Sequence, residues 1–375
     1  MQKYIFSAPG RVELSGNHTD HQNGRVLAAA IDLEACCIAE ANGTDFVQLT
    51  SDGFGDISVD LTVLEPCEAE KETVAALIRG VAAWFVKNGY KISGFNGHVA
   101  SQIPVGSGLS SSAAFEVLIG NVFKGLFGLN VSPLDIALAG QFAENKYFGK
   151  PCGLMDQAAS SLGGLMLIDF CAPLSPVIIP IQADFKGYSL CVIDAGGSHA
   201  NLTDDYALIP AEMKKIASHF GKKVLREVCP NEFYESIGSL RAYGDRAVLR
   251  AMHFFEENER VLEQALALEA GDISEFLRLT TESGKSSLAY LQNVYQPNNP
   301  SEQGLTLALS LCERFLGTKG AYRVHGGGFA GTVLAFVPKR MKQGFENSLQ
   351  NVFGKKCCRF LNIREAGGGK GQDIK

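Results

Sequence analysis

Arg11, Asn17, His18, Asp20 and His21 fall within eleven residues, in a glycine-containing stretch between two apolar segments. That much polarity cannot all serve a hydrophobic core. A polar-dense turn held between strands suits a polyhydroxylated ligand, whose hydroxyls need donors and acceptors at fixed places. His18, Asp20 and His21 could alternatively be half of a metal site, although no further His or Cys stands at ligand spacing.

A second stretch, Pro104 to Ala114, reads Pro-Val-Gly-Ser-Gly-Leu-Ser-Ser-Ser-Ala-Ala. Gly106 and Gly108 let the backbone turn tightly and approach a ligand. Ser110, Ser111 and Ser112 open the helix that follows, where N–H groups and the helix dipole favour anions. The stretch reads as a phosphate loop, and a Ser-rich cap joining strand to helix is the plainer alternative. No Gly-Lys-Ser/Thr closes it, so it is not a Walker A loop. Glu144 and Asp156 flank the turn Gly149–Gly153. Two carboxylates at helix ends could hold Mg²⁺ and take a proton, or could be solvated surface acids. Gly326–Gly331 formally fits G-x-G-x-x-G, but a strand-like run follows it, which excludes a dinucleotide fold.

Positioning these groups takes strands and helices in irregular order. Residues 3–6 and 24–41 read as strands on either side of the polar turn. Apolar residues at helical spacing mark a helix over 72–88, and 94–101 reads as a strand. Helices follow the glycine-serine loop to about Leu126 and run from Ser132-Pro133 to Gly149. Another opens between Pro151 and Ser161. Strands interrupted by Pro173, Pro176 and Pro180 fill 163–194, and that proline-rich stretch is the predicted domain boundary. Residues 205–284 read as helical, and a strand pair surrounds Gly326–Gly328. Glu365 to Lys375 is Gly- and charge-rich and is expected to fray. The mixture favours an α+β fold over a doubly wound sheet. A chain of 375 residues exceeds what one core usually serves, so two domains are expected, over 1–180 and 181–375.

A net charge of −6 without a Lys/Arg run argues against nucleic acid or anionic membranes as partners. None of the ten cysteines forms a Cys-x-x-Cys pair, and no signal peptide or bilayer-length apolar run is evident. A cytoplasmic protein that needs no obligate protein partner is expected.

Four segments in register resemble the GHMP small-molecule kinases, and within them the galactokinases. Pro9-Gly10-Arg11-Val12 with Gly16-Asn17-His18-Thr19-Asp20 resembles the galactokinase signature. Pro104 to Ala114 resembles the family's ATP loop, Pro151 to Gln157 its catalytic-aspartate segment, and Gly326 to Gly331 its C-terminal glycine loop. The likeness extends over nearly the whole chain. It implies a two-domain GHMP kinase fold, with a ribosomal-protein-S5-like N-terminal domain, a ferredoxin-like C-terminal domain and the active site between them. It further implies ATP-dependent phosphorylation of the C1 hydroxyl of a hexose, galactose first.

In that reading Asp156 is the base and Arg11 stabilises the charge that develops. Ser112 and Glu144 hold Mg²⁺. Pro104, Gly106, Ser107, Gly108, Leu109, Ser110, Ser111 and Ser112 wrap the ATP. Asn17, His18, Asp20, Gly153, Asp156 and Tyr206, together with Arg11, contact the sugar. The chain departs from the pattern in four places. Asn17 replaces Glu, Asp20-His21-Gln22 stands where Asp-Tyr-Asn is usual and resembles galacturonate kinases, Glu13-Leu14-Ser15 replaces Asn-Leu-Ile, and His325 stands where Thr is common. An amide at 17, expected near C6, would not repel a uronate as a carboxylate would. Galacturonate or another hexose derivative is therefore the alternative substrate. A non-catalytic sugar- and ATP-binding sensor is the alternative of a different class.

Overall fold

The computed structural model describes residues 2–51, 55–104, 106, 108–185, 187–197 and 202–373. Ser107 of the expected ATP loop lies outside them. Twelve strands are described, in two sheets. The larger has the order β12-β1-β2-β5-β3-β4, with β6 paired to β2 and β7 to β6. Its strands are β1 (Tyr4–Ser15), β2 (Arg25–Ala41), β3 (Phe46–Ser51), β4 (Gly55–Asp60), β5 (Phe95–Ser101), β6 (Leu165–Asp169), β7 (Val177–Pro180) and β12 (Gly369–Asp373). The smaller has the order β11-β8-β10-β9, from β8 (Tyr188–Asp194), β9 (Ala321–His325), β10 (Thr332–Pro338) and β11 (Cys358–Leu361). Sheets and helices are mixed without βαβ alternation, as an α+β fold requires.

Helices cover the first sheet: α1 (Val74–Lys87), α2 (Ser111–Phe127), α3 (Pro133–Ala143) and α4 (Met155–Leu162). Thr73 caps α1 by accepting from Ala76 N–H, and Ser132 with Asp135 forms a capping box on α3, as the Ser-Pro start predicts. The second half carries α5 (Thr203–His219) and the longer helices Asp245–Glu269 and Ile273–Ser286. One apolar core joins Phe6, Val12, Leu27, Val81, Val117 and Phe123 of the first half to Leu190, Phe276 and Phe336 of the second.

Two expectations about elements are corrected. The first strand does not stop at residue 6 but runs to Ser15, so Arg11 and Glu13 sit on β1 and not in the turn. They are paired in register with Ala30 and Ala28 of β2, whose small side chains leave room for long polar neighbours. As far as Asp373 the glycine-rich tail does not fray: β12 pairs antiparallel with β1 and covers its edge. The glycines make this approach possible, since a Cβ at Gly367 would lie 2.1 Å from the Ser161 carbonyl oxygen. The last strand therefore belongs to the first sheet, although β8 to β11, the other described strands of 181–375, form the second.

Candidate active site

Arg11 and Asp156, 145 positions apart, form a two-pronged ion pair: Nε donates to Oδ1 and Nη2 to Oδ2, each at 2.8 Å. The third prong, Nη1, donates to the Gly108 carbonyl at 2.6 Å. The Arg11 backbone N–H donates to the Leu109 carbonyl at 3.2 Å. The glycine-serine loop is thus fastened to β1 by the same residue that grips Asp156. Gly108 makes this possible, because its φ is +70° and a Cβ there would lie 2.6 Å from Thr332 Oγ1. Ser110, also left-handed at φ +58°, directs its hydroxyl to Asp156 Oδ2 at 2.5 Å.

Asp156 sits in the first turn of α4 with about a third of its side chain open, 32%. Burial pushes its pKa up, but the Arg11 charge and the hydrogen bonds from Arg11 and Ser110 outweigh it, and the pKa lies below the ordinary value. The carboxylate is ionised. It has about four acceptor positions. Three are taken, which leaves one on Oδ1 for a proton donor in the cleft.

Glu144 lies beside this pair at the end of α3, where the helix widens before Gly149. Ser112 Oγ donates to its Oε1 at 3.3 Å, and Lys150 Nζ stands 3.6 Å from the same oxygen. On its other side, Gln157 Nε2 donates to Glu144 Oε2 and to Glu116 Oε2, at 2.9 Å each. Glu116 is fully buried, and burial with the neighbouring Glu144 charge lifts its pKa well above the usual value. One carboxylate and one hydroxyl opening toward a phosphate loop are hard oxygen donors. Such a set suits Mg²⁺ shared with substrate phosphates.

On the opposite wall, Asp20 is anchored by accepting from His21 N–H at 2.9 Å. Gly153 packs so tightly against it that a Cβ would lie 1.7 Å from Asp20 Oδ2. A cavity of about 290 Å³ opens here, bordered by Asp20, His21, Gln141, Gly153 and Lys214 among others. His18, at φ +59°, donates from Nε2 to the Gly327 carbonyl at 2.9 Å, while Nδ1 is buried without a partner. Burial and the neighbouring His21 lower its pKa to about 3, so the ring is neutral. Tyr206 O–H donates to the Gly328 carbonyl at 2.9 Å, and its ring lies edge-on to Phe329. Gly326–Gly331, between β9 and β10, therefore anchors the side chains of His18 and Tyr206.

Of the expected site residues, Arg11 and Ser110 meet at Asp156, the Gly108 and Leu109 carbonyls accept from Arg11, Ser112 meets Glu144, Asp20 and Gly153 border one cavity, and His18 and Tyr206 stand on the C-terminal glycine loop. Gly106 and Pro104 lie on the loop's outer part. The Leu109 side chain is buried in the core, which leaves the loop only its backbone. Asn17 is the clear correction. Its side chain is fully buried and turned away from the cleft. Nδ2 donates to Glu13 Oε1 at 3.1 Å and to the Gly326 carbonyl at 2.6 Å. Oδ1 accepts from Asn293 Nδ2 at 2.8 Å and Ser287 Oγ at 3.3 Å. No donor or acceptor is left for a C6 substituent. The sequence reading missed Glu116, Gln157 and Lys150. Glu116 carried a signal, an acid among apolar residues on the inner face of a helix.

The chain is similar to known proteins over most of its length. "Galactokinase galactose-binding signature" matches residues 1–41, and "GHMP kinases N terminal domain" matches 76–164. A galactokinase of Glaesserella parasuis is 31% identical, with 95% of this chain and 90% of that protein aligned. One from Actinobacillus pleuropneumoniae is 33% identical over 93% and 89%. The chain belongs to the galactokinase family. The crystal structure of Lactococcus lactis galactokinase complexed with galactose superposes with a TM-score of 0.85 at 26% identity, over 98% of this chain and 95% of that one. A mevalonate kinase structure, at 17% identity and a TM-score of 0.64, shares the fold. A galactokinase-family chain with this cleft is a sugar kinase, a phosphotransferase that uses ATP. Among the described residues, no helix is long and apolar enough to cross a membrane.

Proposed function

We propose that this protein transfers the γ-phosphoryl group of ATP to the C1 hydroxyl of galactose. The observation that carries the proposal is the Arg11–Asp156 pair, set between the phosphate loop and the Asp20–Gly153 wall. Phosphoryl transfer needs alignment and neutralisation of spread charge more than covalent participation by the protein. Asp156 supplies the open acceptor position on Oδ1 for the C1 hydroxyl proton. Its depressed pKa makes it a weak base, so it orients the hydroxyl first and takes the proton as the new O–P bond forms. Arg11 keeps that carboxylate ionised and brings its positive charge to the reacting oxygens.

The backbone N–H groups at the start of α2 face the phosphates, and Asp20 accepts from sugar hydroxyls. Ser112 and Glu144 would hold Mg²⁺, which when bound would offset phosphate charge. With Asn17 withdrawn, nothing at that position favours a uronate. The ten cysteines are all free thiols, which supports the cytoplasmic reading.

The test is a hexose panel with Mg-ATP, comparing the wild type with Asp156→Asn. The wild type is expected to form galactose 1-phosphate, and the variant to lose about 100-fold or more in kcat while still binding ATP. Near-wild-type turnover by the variant would remove Asp156 as the base. No hexose turnover by the wild type would remove the function.

A further inference from the structure

Lys150 brings to the cleft a cation that neither the base nor the sugar wall uses. Its Nζ stands 3.6 Å from Glu144 Oε1, and 64% of its side chain is exposed. The turn that carries it is clamped. The N–H groups of Gly149 and Lys150 both donate to the Glu144 carbonyl, at 3.0 and 3.2 Å. Cys152 N–H donates to Asn145 Oδ1 at 2.7 Å, and the Cys152 carbonyl accepts from Asn145 Nδ2 at 3.3 Å. A fixed backbone thus bears a flexible four-carbon stem with three donors at its tip.

The stem points to where phosphates are expected. Ser112 Oγ donates to the same Glu144 oxygen at 3.3 Å, so one oxygen separates the ammonium from the first turn of α2. That turn presents its N–H groups to the phosphates. The charges that act most strongly on Lys150 are those of Glu144 and then Asp156, which sets it between the metal side of the cleft and the base.

We propose that Lys150 is a further catalytic residue: its ammonium leaves Glu144 for the terminal phosphate of ATP and stays on the phosphoryl group as it passes to the sugar.

The charges of the cleft call for such a group. Two cations, Arg11 and Lys150, face two carboxylates, Asp156 and Glu144. Glu116, behind Glu144, is driven toward its neutral form by burial and by the Glu144 charge. Glu13 and Asp20 also act on Arg11, and Glu13 is paired with Arg323 at 2.6 Å. Arg11 is matched by Asp156 at 2.8 Å. No Lys or Arg occurs from Pro104 to Phe123, so the phosphate loop brings no cationic side chain of its own. Mg-ATP stays negative after its metal is counted, and the outer oxygens of the transferring group carry much of that charge. A dication on Glu144 would also repel the ammonium beside it, toward the phosphates.

In the transfer the C1 oxygen bonds to phosphorus. The bond from phosphorus to the bridging oxygen breaks, and ADP leaves with the electron pair. The hydroxyl proton goes to Asp156. Lys150 exchanges no proton and follows the charge, as a compact ammonium on a flexible stem can.

The experiment compares Lys150→Met and Lys150→Arg with the wild type. Its rate readout rests on the kinase reading above, while its binding readout does not. Lys150→Met is expected to lose about 100-fold in kcat with the sugar KM unchanged, and Lys150→Arg to recover all but about tenfold. Equilibrium binding of ATP and of ADP is measured in EDTA, without metal or sugar. Lys150→Met should bind ATP about tenfold more weakly than the wild type, with ADP binding altered by less than about twofold. The side chain is mostly exposed, so neither variant should shift the urea midpoint.

Equal weakening of ATP and ADP, or weakening of neither, would overturn the proposal, since the ammonium would then not meet the terminal phosphate. A rise confined to the sugar KM would overturn it by placing Lys150 on the sugar. An unchanged kcat with half-maximal rate at lower Mg²⁺ would overturn it by making Lys150 only the counterion of Glu144. Should the wild type phosphorylate no hexose, the kinase reading falls, and ATP binding against ADP binding still decides the contact.

Discussion

Acid should loosen the seam between the two halves of this chain, because its buried histidines are held neutral. His18 is pushed down to about 3 by burial and by His21. Burial, with Arg11 and Arg323 nearby, pushes His325 well below its ordinary value. His325 also has no room for a second proton: Nε2 accepts from Glu13 N–H, so the ring proton sits on Nδ1, facing Thr332 Oγ1 at 3.0 Å. Burial lowers His253 too, at the contact with the Asn17 carbonyl.

The folded pKa values lie below the unfolded value, so between the two only the unfolded chain binds the proton. The stability is complete above the unfolded pKa and is lost as pH falls toward the folded one. Each such histidine removes about 1.4 kcal/mol per pH unit below about 6.5, so lowering pH from about 8 to about 5.5 costs about 1.4 kcal/mol for each. His18 and His325 together account for about 3 kcal/mol on that scale.

Glu13 and Glu116 work in the other direction. Burial raises both carboxyls, and the native state then holds protons that the unfolded chain has shed. The total slope mixes these effects, and the difference between two proteins isolates one of them. His325→Gln keeps an acceptor for Glu13 N–H and a donor for Thr332 without a titrating ring. Urea unfolding at about pH 8 and about pH 5.5 should show the wild type losing about 1.4 kcal/mol more than this variant. Equal losses would refute the argument that His325 is held neutral in the native protein.

Two further substitutions test the two walls of the cleft. Gly153→Ala drives Asp20 out of place, and the sugar KM should rise about tenfold or more while unfolding changes little, because only a side-chain end must move; an unchanged KM would take Asp20 off the sugar. Glu144→Gln should raise the Mg²⁺ concentration for half-maximal rate by on the order of tenfold, about 1.4 kcal/mol of metal binding; an unaltered Mg²⁺ titration would take Glu144 out of the metal site.

Much of the frame was legible because its signals are local. The helical spacing of Val74 to Phe85, the Ser132-Pro133 start and the strand 95–101 are set by neighbours a few residues away. The tail misled because composition describes only the segment itself. Gly367 and Gly368 do not loosen the chain, but let it lie against Ser161 and Val117, and β1 supplies the open edge that captures Gly369–Asp373. Glu116 and Gln157 could not be paired from sequence, since what makes them partners is the packing of α2 against α4.

By itself the sequence determined the contiguous devices: a phosphate loop from glycines and serines in a row, a polar turn between strands, and an aspartate opening a helix. These hold because backbone conformation and donor spacing within a dozen residues are local properties. Only the tertiary structure decided which devices meet. It brought Asp156 onto Arg11 from 145 positions away, and it decided where the Asn17 amide points. Gly16 at φ +94° and His18 at φ +59° bring the chain round at that residue, and Asn293 and Ser287, more than 260 positions distant, supply the donors that hold the amide inward. A side chain's facing is set by whichever distant groups fill its hydrogen bonds, and those groups have no signature in the neighbouring sequence.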